Sequence, residues 1–142
     1  MAELAKRFAE EMRVRRDAMD LTQEAFGVPL GLDRSAVSRI EKSAPNLSIS
    51  KAVLIASALE SSVSEMVGGK KSNKTAQQIV EGMALRIRNW RAEEGLNQRE
   101  LAEKMNIDRN RVSAVESGKK NVSLETIERF AAALDVLPLE FL

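Results

Sequence analysis

The chain has 142 residues, 44% hydrophobic and 30% charged, with 22 Lys and Arg against 21 Asp and Glu for a net charge of +1. It contains no cysteine and no histidine, which removes disulfides, thiol catalysis, the usual zinc sites and imidazole acid–base chemistry. No apolar run approaches the ~18 residues of a membrane span, and the N-terminus lacks the unbroken apolar stretch of a signal peptide. The expectation is a cytoplasmic protein with no membrane partner, no metal, no cofactor and no catalytic centre. A nearly neutral chain attracts nucleic acid only through a local basic face, because phosphate contacts need clustered Lys and Arg.

The sequence repeats itself. Sliding it by 75 positions aligns residues 1–67 with 76–142 without a gap, and sixteen of those 67 positions are identical. The identities include Arg13/Arg88, Arg16/Arg91, Gln23/Gln98, Asp33/Asp108, Arg34/Arg109, Val37/Val112, Ser38/Ser113 and Glu41/Glu116. Residues 68–75, GGKKSNKT, have the glycine, serine and lysine content of a flexible linker. The predicted organisation is therefore a first domain over 1–67, a linker over 68–75 and a second domain over 76–142.

In chain order, the segment MAELAKRFAEEM opens an amphipathic helix, and Thr22, Asp33 and Ser48 are placed to cap the next three. Ser62 with Glu65 resembles a capping box before a fifth. In the second unit, Thr75 with Gln78 predicts a capping box, and Ile79, Met83, Ile87 and Trp90 recur at helical spacing to about Glu94. Gly95 ends that helix, and Asn97 with Glu100 caps the next. Asp108 caps a third through Ser117, Gly118 stops it, and Ser123 starts a fourth that runs to Leu134. Pro138 fits the first turn of a fifth. No alternating β-branched run predicts a strand, so the fold class is all-α.

The informative stretches are QEAFGVPLGLDRSAVSRIEK (23–42) and QRELAEKMNIDRNRVSAVES (98–117). Each has a small residue, Gly27 or Ala102, where two helices must nearly touch, and a turn near Gly31 or Asn106. Leu32, Val37 and Ile40, or Ile107, Val112 and Val115, then seat a second helix on the core. That spacing fits two helices crossing steeply over a short turn. The outer face of the second helix stays polar: Arg34, Ser35, Ser38 and Arg39 in one unit, Arg109, Asn110, Arg111 and Ser113 in the other.

With RxxRxxxxLxQ at 13–23 and 88–98 and VSxxE at 37–41 and 112–116, the sequence resembles the Xre/Cro family of lambda-repressor-like helix-turn-helix proteins, over nearly its whole length. The resemblance implies two tandem five-helix domains, each with its third helix in the major groove of double-stranded DNA. It implies that Gln23 and Gln98 lie close to a phosphate. Arg34, Ser35 and Arg39, with Arg109, Asn110 and Ala114, fall where the family reads base edges. Lys42, Lys119, Lys120 and Asn121 fall where the following loop grips the backbone. The implied function is transcriptional regulation of bacterial, phage or plasmid type, as a repressor bound to the nucleoid.

The bidentate chemistry agrees: Arg suits guanine O6 and N7, and Asn suits adenine N6 and N7. Glu41 and Glu116 read as structural carboxylates bonding Arg16 and Arg91. Trp90 reads as core, with a dimer seam as the other reading. Four departures fall in the first unit: Pro29 inside helix two, Ser43 in place of glycine, a loop without the Lys119-Lys120 pair, and Arg15 opposite Trp90. They favour the second unit as principal reader. They leave open an antitoxin-like use of the first domain to hold a protein partner, and the apolar run Val136-Leu137-Pro138-Leu139 with Phe141-Leu142, more than one small domain need bury, leaves open a homodimer.

Overall fold

The computed structural model describes residues 3–142. Met1 and Ala2, the start of the expected N-terminal helix, lie outside the described residues. The described residues form α-helices and short 3-10 turns, with no strand among them. None of these helices is long and apolar enough to cross a membrane. The chain divides into two compact units: residues up to Asn73 with Ser123–Glu125, and Lys74–Val122 with Thr126–Leu142.

In the first unit, α1 (Glu3–Ala18) buries Leu4, Phe8 and Met12 along one face. The short α2 (Gln23–Gly27) follows, capped by Thr22, whose side chain accepts from Ala25 N. It tightens into a 3-10 turn over Val28–Leu30, as expected of Pro29, which lacks a backbone donor. Helix α3 (Arg34–Lys42) is capped by Asp33 and α4 (Ile49–Ala58) by Ser48. Helix α5 (Val63–Met66) closes the unit over Val63 and Met66.

The second unit repeats the plan. Helix α6 (Ala76–Glu94) begins with the Thr75–Gln78 capping box and ends at Gly95 in the left-handed conformation, φ +67°. Helix α7 (Gln98–Met105) carries the Asn97–Glu100 box, and α8 (Arg109–Glu116) is capped by Asp108. Helix α9 (Leu124–Leu134) and a 3-10 turn over Pro138–Phe141 complete it. Ile79, Met83, Ile87, Leu101, Val112, Ile127, Phe130 and Phe141 form its core. Burying each such side chain contributes about 1.5–3 kcal/mol.

Three features differ from the sequence reading. Trp90 is half-buried rather than core, with the Lys104 ammonium 4.7 Å above its ring centroid. Glu65 does not turn back to Ser62: its carboxylate accepts from the Ser61 hydroxyl at 2.6 Å and from Arg15 at 3.4 Å. Those partners, Ser61 foremost, hold it below the ordinary carboxylate range. Residues 69–72 of the expected linker follow the first unit's surface: Gly69 N donates to Ser64 O and Ser72 N to Ser62 Oγ.

Candidate nucleic-acid interface

The crossing of α2 and α3 depends on a close approach. A Cβ at Gly27 would stand 2.3 Å from Leu32 O and 2.9 Å from Val37 Cγ2, which is why no side chain fits there. The turn that follows is left-handed at Gly31 (φ +70°) in the first unit and at Asn106 (φ +55°) in the second, residues that tolerate that region. Val37 and Val112 are fully buried and Val115 nearly so, while Leu32, Ile40 and Ile107 are half-buried. These apolar residues fix the roll of α3 and α8 and turn the opposite face of each helix outward.

An ion pair, buried in the first unit and part-buried in the second, ties that second helix to the first helix of each unit. Arg16 donates from Nε to Glu41 Oε2 at 2.6 Å and from Nη2 to Oε1 at 3.0 Å, and its Nη1 reaches Leu21 O at 2.6 Å. In the second unit Arg91 makes both contacts to Glu116 at 2.9 Å and reaches Leu96 O at 3.0 Å. Arg88 adds a bond to the Glu116 carbonyl. The bidentate geometry raises the pKa of both arginines further, their hydrogen bond to the carboxylate being the main cause. Glu41 and Glu116 are thus structural, as expected.

The amides of Gln23 and Gln98 join this cluster. Each Nε2 donates to the same carboxylate, at 3.1 Å to Glu41 and 3.2 Å to Glu116. One amide hydrogen is committed inside the protein, and one remains for a partner outside.

The remaining site residues stand on the outer faces. Arg34, Ser35, Arg39 and Lys42 are exposed on α3, with Ser38 half-buried. Arg109, Asn110, Arg111 and Ser113 are exposed on α8, Ala114 is half-buried, and Lys119, Lys120 and Asn121 are exposed in the loop beyond. Among the described residues, the Arg34, Arg39, Arg109 and Arg111 side chains make no internal hydrogen bond or ion pair. Exposed guanidiniums without a partner are available to an external anion or base edge.

The exits from the two helices differ. Ser43 leaves α3 in an extended conformation, whereas α8 turns through Ser117 and Gly118 (φ +68°). Gly118 is buried against α6, where Gln77 Nε2 donates to its carbonyl at 3.2 Å. The loop bearing Lys119 and Lys120 is thereby pinned to the start of α6.

Sequence reasoning missed Arg99 and Lys51. Arg99 lines an open cleft of about 510 Å³ with Arg91, Asn97, Gln98 and Arg109. Lys51 shares a cleft of about 360 Å³ with Arg39, Ile40 and Asn46. Arg99 directly follows Gln98, which was a usable signal; Lys51 has no basic counterpart in the second unit, where Thr126 matches it.

Comparison with known proteins identifies the domain that each unit carries. The helix-turn-helix family model HTH_3 matches twice, over residues 12–66 and 87–142. A curated Neisseria hypothetical transcription factor, from Neisseria meningitidis serogroup B, is 42% identical over 60 residues, 42% of this chain. The chain spans only 57% of that relative's length. The crystal structure of a hypothetical transcription factor from Neisseria is similar at 36% identity and a TM-score of 0.43, covering 51% of this chain and 84% of that one. The restriction-modification controller protein C.AhdI from Aeromonas hydrophila is similar at 40% identity and a TM-score of 0.40, covering 44% of this chain and 96% of that one. The chain belongs to the Xre/Cro-type helix-turn-helix family of non-enzymatic DNA-binding regulators and carries two copies of its domain.

Proposed function

We propose that the chain is a sequence-specific, double-stranded DNA-binding transcriptional repressor, acting on the nucleoid of a bacterial cytoplasm. Residues 1–67 and 76–142 serve as two reading domains joined through 68–75, with α3 and α8 entering major grooves. The observation that carries this reading is the outer face of α8. Arg109, Asn110 and Arg111 stand exposed there, on a helix whose other side is locked to the core by Val112 and by Glu116. The 42% identity to a protein described as a hypothetical transcription factor supports it.

The second domain is the principal reader. It couples a three-residue polar reading face to a lysine loop pinned by Gln77, whereas the first domain has a shortened α2 and an extended, proline-containing loop. Selection from random duplex DNA tests this reading. Arg109→Ala and Asn110→Ala each cost about 1–3 kcal/mol on the selected site and relax preference at one base pair. Lys119→Ala weakens all sequences alike and flattens the salt dependence by about one phosphate. Equal losses on selected and random DNA for Arg109→Ala would reduce that residue to a backbone contact. A homodimer is the second reading, favoured by Leu85, 52% exposed in a cleft it shares with the half-buried Trp90, and by Leu137, 65% exposed.

A further inference from the structure

The cleft lined by Arg91, Asn97, Gln98, Arg99 and Arg109 gathers three guanidiniums at one corner of the second unit. Their charges are not equally occupied. Arg91 is spent on Glu116 and Leu96, and Gln98 gives an amide hydrogen to the same carboxylate. Arg109 has no internal partner among the described residues. Arg99 has only a marginal one: its Nε lies 4.0 Å from Glu103 Oε1, with the two side chains 75% and 74% exposed. An exposed pair of that length holds neither charge in place. Two exposed cations therefore face one open cleft, beside the helix that carries the reading face.

The first unit reverses this charge. The position matching Arg99 is Glu24, an exposed acid in the first turn of α2, while the matching Gln23 and Arg34 are kept. At this corner the two units thus differ by two charges within an otherwise equivalent frame.

Resting on the DNA-binding reading above, in which Arg109 faces the bases, we infer that Arg99 holds a DNA backbone phosphate in this cleft, and that Glu24 repels one at the equivalent place. The substitution at this position adds to the shortened α2 and extended loop in making the first unit the weaker partner. Phosphate neutralisation by Arg99 is independent of base identity, so it supplies affinity and salt dependence but no sequence preference.

The full-length chain and its Arg99→Glu and Glu24→Arg variants are titrated with selected and random duplex across a salt series. Arg99→Glu is expected to weaken binding severalfold at low salt on both DNAs alike, with log K against log salt shallower by about 0.9. Glu24→Arg is expected to strengthen binding and steepen the slope by a similar amount. Both sites are exposed, and an acid in the first turn of α7 favours the helix, so unchanged thermal melting accompanies Arg99→Glu. An Arg99→Glu chain that binds like the wild type, or a Glu24→Arg chain that binds no better, overturns the inference. A loss confined to the selected site overturns it as well, because a base contact would then be at work. A wild-type chain that fails to bind any duplex overturns the DNA-binding reading itself, and the inference falls with it before a variant is compared.

Discussion

Removing Glu41 should expose how the two units hold their reading helices. Glu41→Ala deletes the acceptor of three side-chain hydrogen bonds, two from Arg16 and one from Gln23. It leaves a guanidinium whose side chain is only 9% exposed. The nearest remaining countercharge is Asp17 at 3.2 Å, itself 60% exposed. Stranding a buried charge costs about 3–5 kcal/mol, a large share of the ~5–15 kcal/mol that holds a domain together. The matching Glu116→Ala strands Arg91, but that side chain is 22% exposed. Water can reach it, so the loss there is nearer the ~1.5–3 kcal/mol of a hydrogen bond to a charged group. Amide hydrogen exchange resolves the two units: Glu41→Ala lowers the opening free energy of α1 and α3 more than Glu116→Ala lowers that of α6 and α8. Replacing both partners together, Arg16→Met with Glu41→Leu, recovers most of the loss. A single substitution costing less than the ~1 kcal/mol of a surface pair would refute the reasoning. So would a double variant as damaged as the single one.

Gly27→Ala pushes a methyl group against the Leu32 carbonyl and Val37, so it lowers stability by about 1–3 kcal/mol in urea unfolding. Acidification weakens the C-terminal turn of the second unit. Glu140 accepts from Leu137 N and from Arg86, and these hold its pKa below the ordinary value of 4.5. Its contribution is therefore present above that value and lost as pH falls through the lowered one. Glu140→Gln accordingly loses less stability than the wild type between neutral and strongly acidic pH, as read from melting curves against pH. Gln77→Ala frees the Gly118 carbonyl and speeds amide exchange in the loop bearing Lys119 and Lys120.

Much of the frame was legible because it is local. A side-chain oxygen at Thr22, Asp33, Ser48, Thr75, Asn97 or Asp108 bonds an amide two or three residues ahead, and that distance is written in the sequence. The left-handed turns at Gly31, Gly95 and Asn106 were legible for the same reason. What escaped depends on residues far apart in the chain. Glu65 accepts from Ser61 and, fifty positions away, from Arg15 rather than from its own N-cap, and Trp90 is covered on one side by Lys104 rather than by core. The composition of residues 68–75 predicts flexibility, but the bonds of Gly69 and Ser72 to α5 and its cap come from tertiary placement. At the interface, matching to a family pattern picked out the glutamines and the outer face of α8. It passed over Arg99 because the family pattern assigns no contact to the residue after the glutamine, and the disagreement with Glu24 there is the informative feature.

The most direct test of the account is a salt titration of the full-length chain on duplex DNA, comparing the sequence enriched from a random pool with the pool itself. Binding at low salt to both is expected, with a log–log slope of about −0.9 for each phosphate contacted and a tighter complex with the enriched sequence. No binding at low salt, or a flat slope with no enriched sequence, would contradict it.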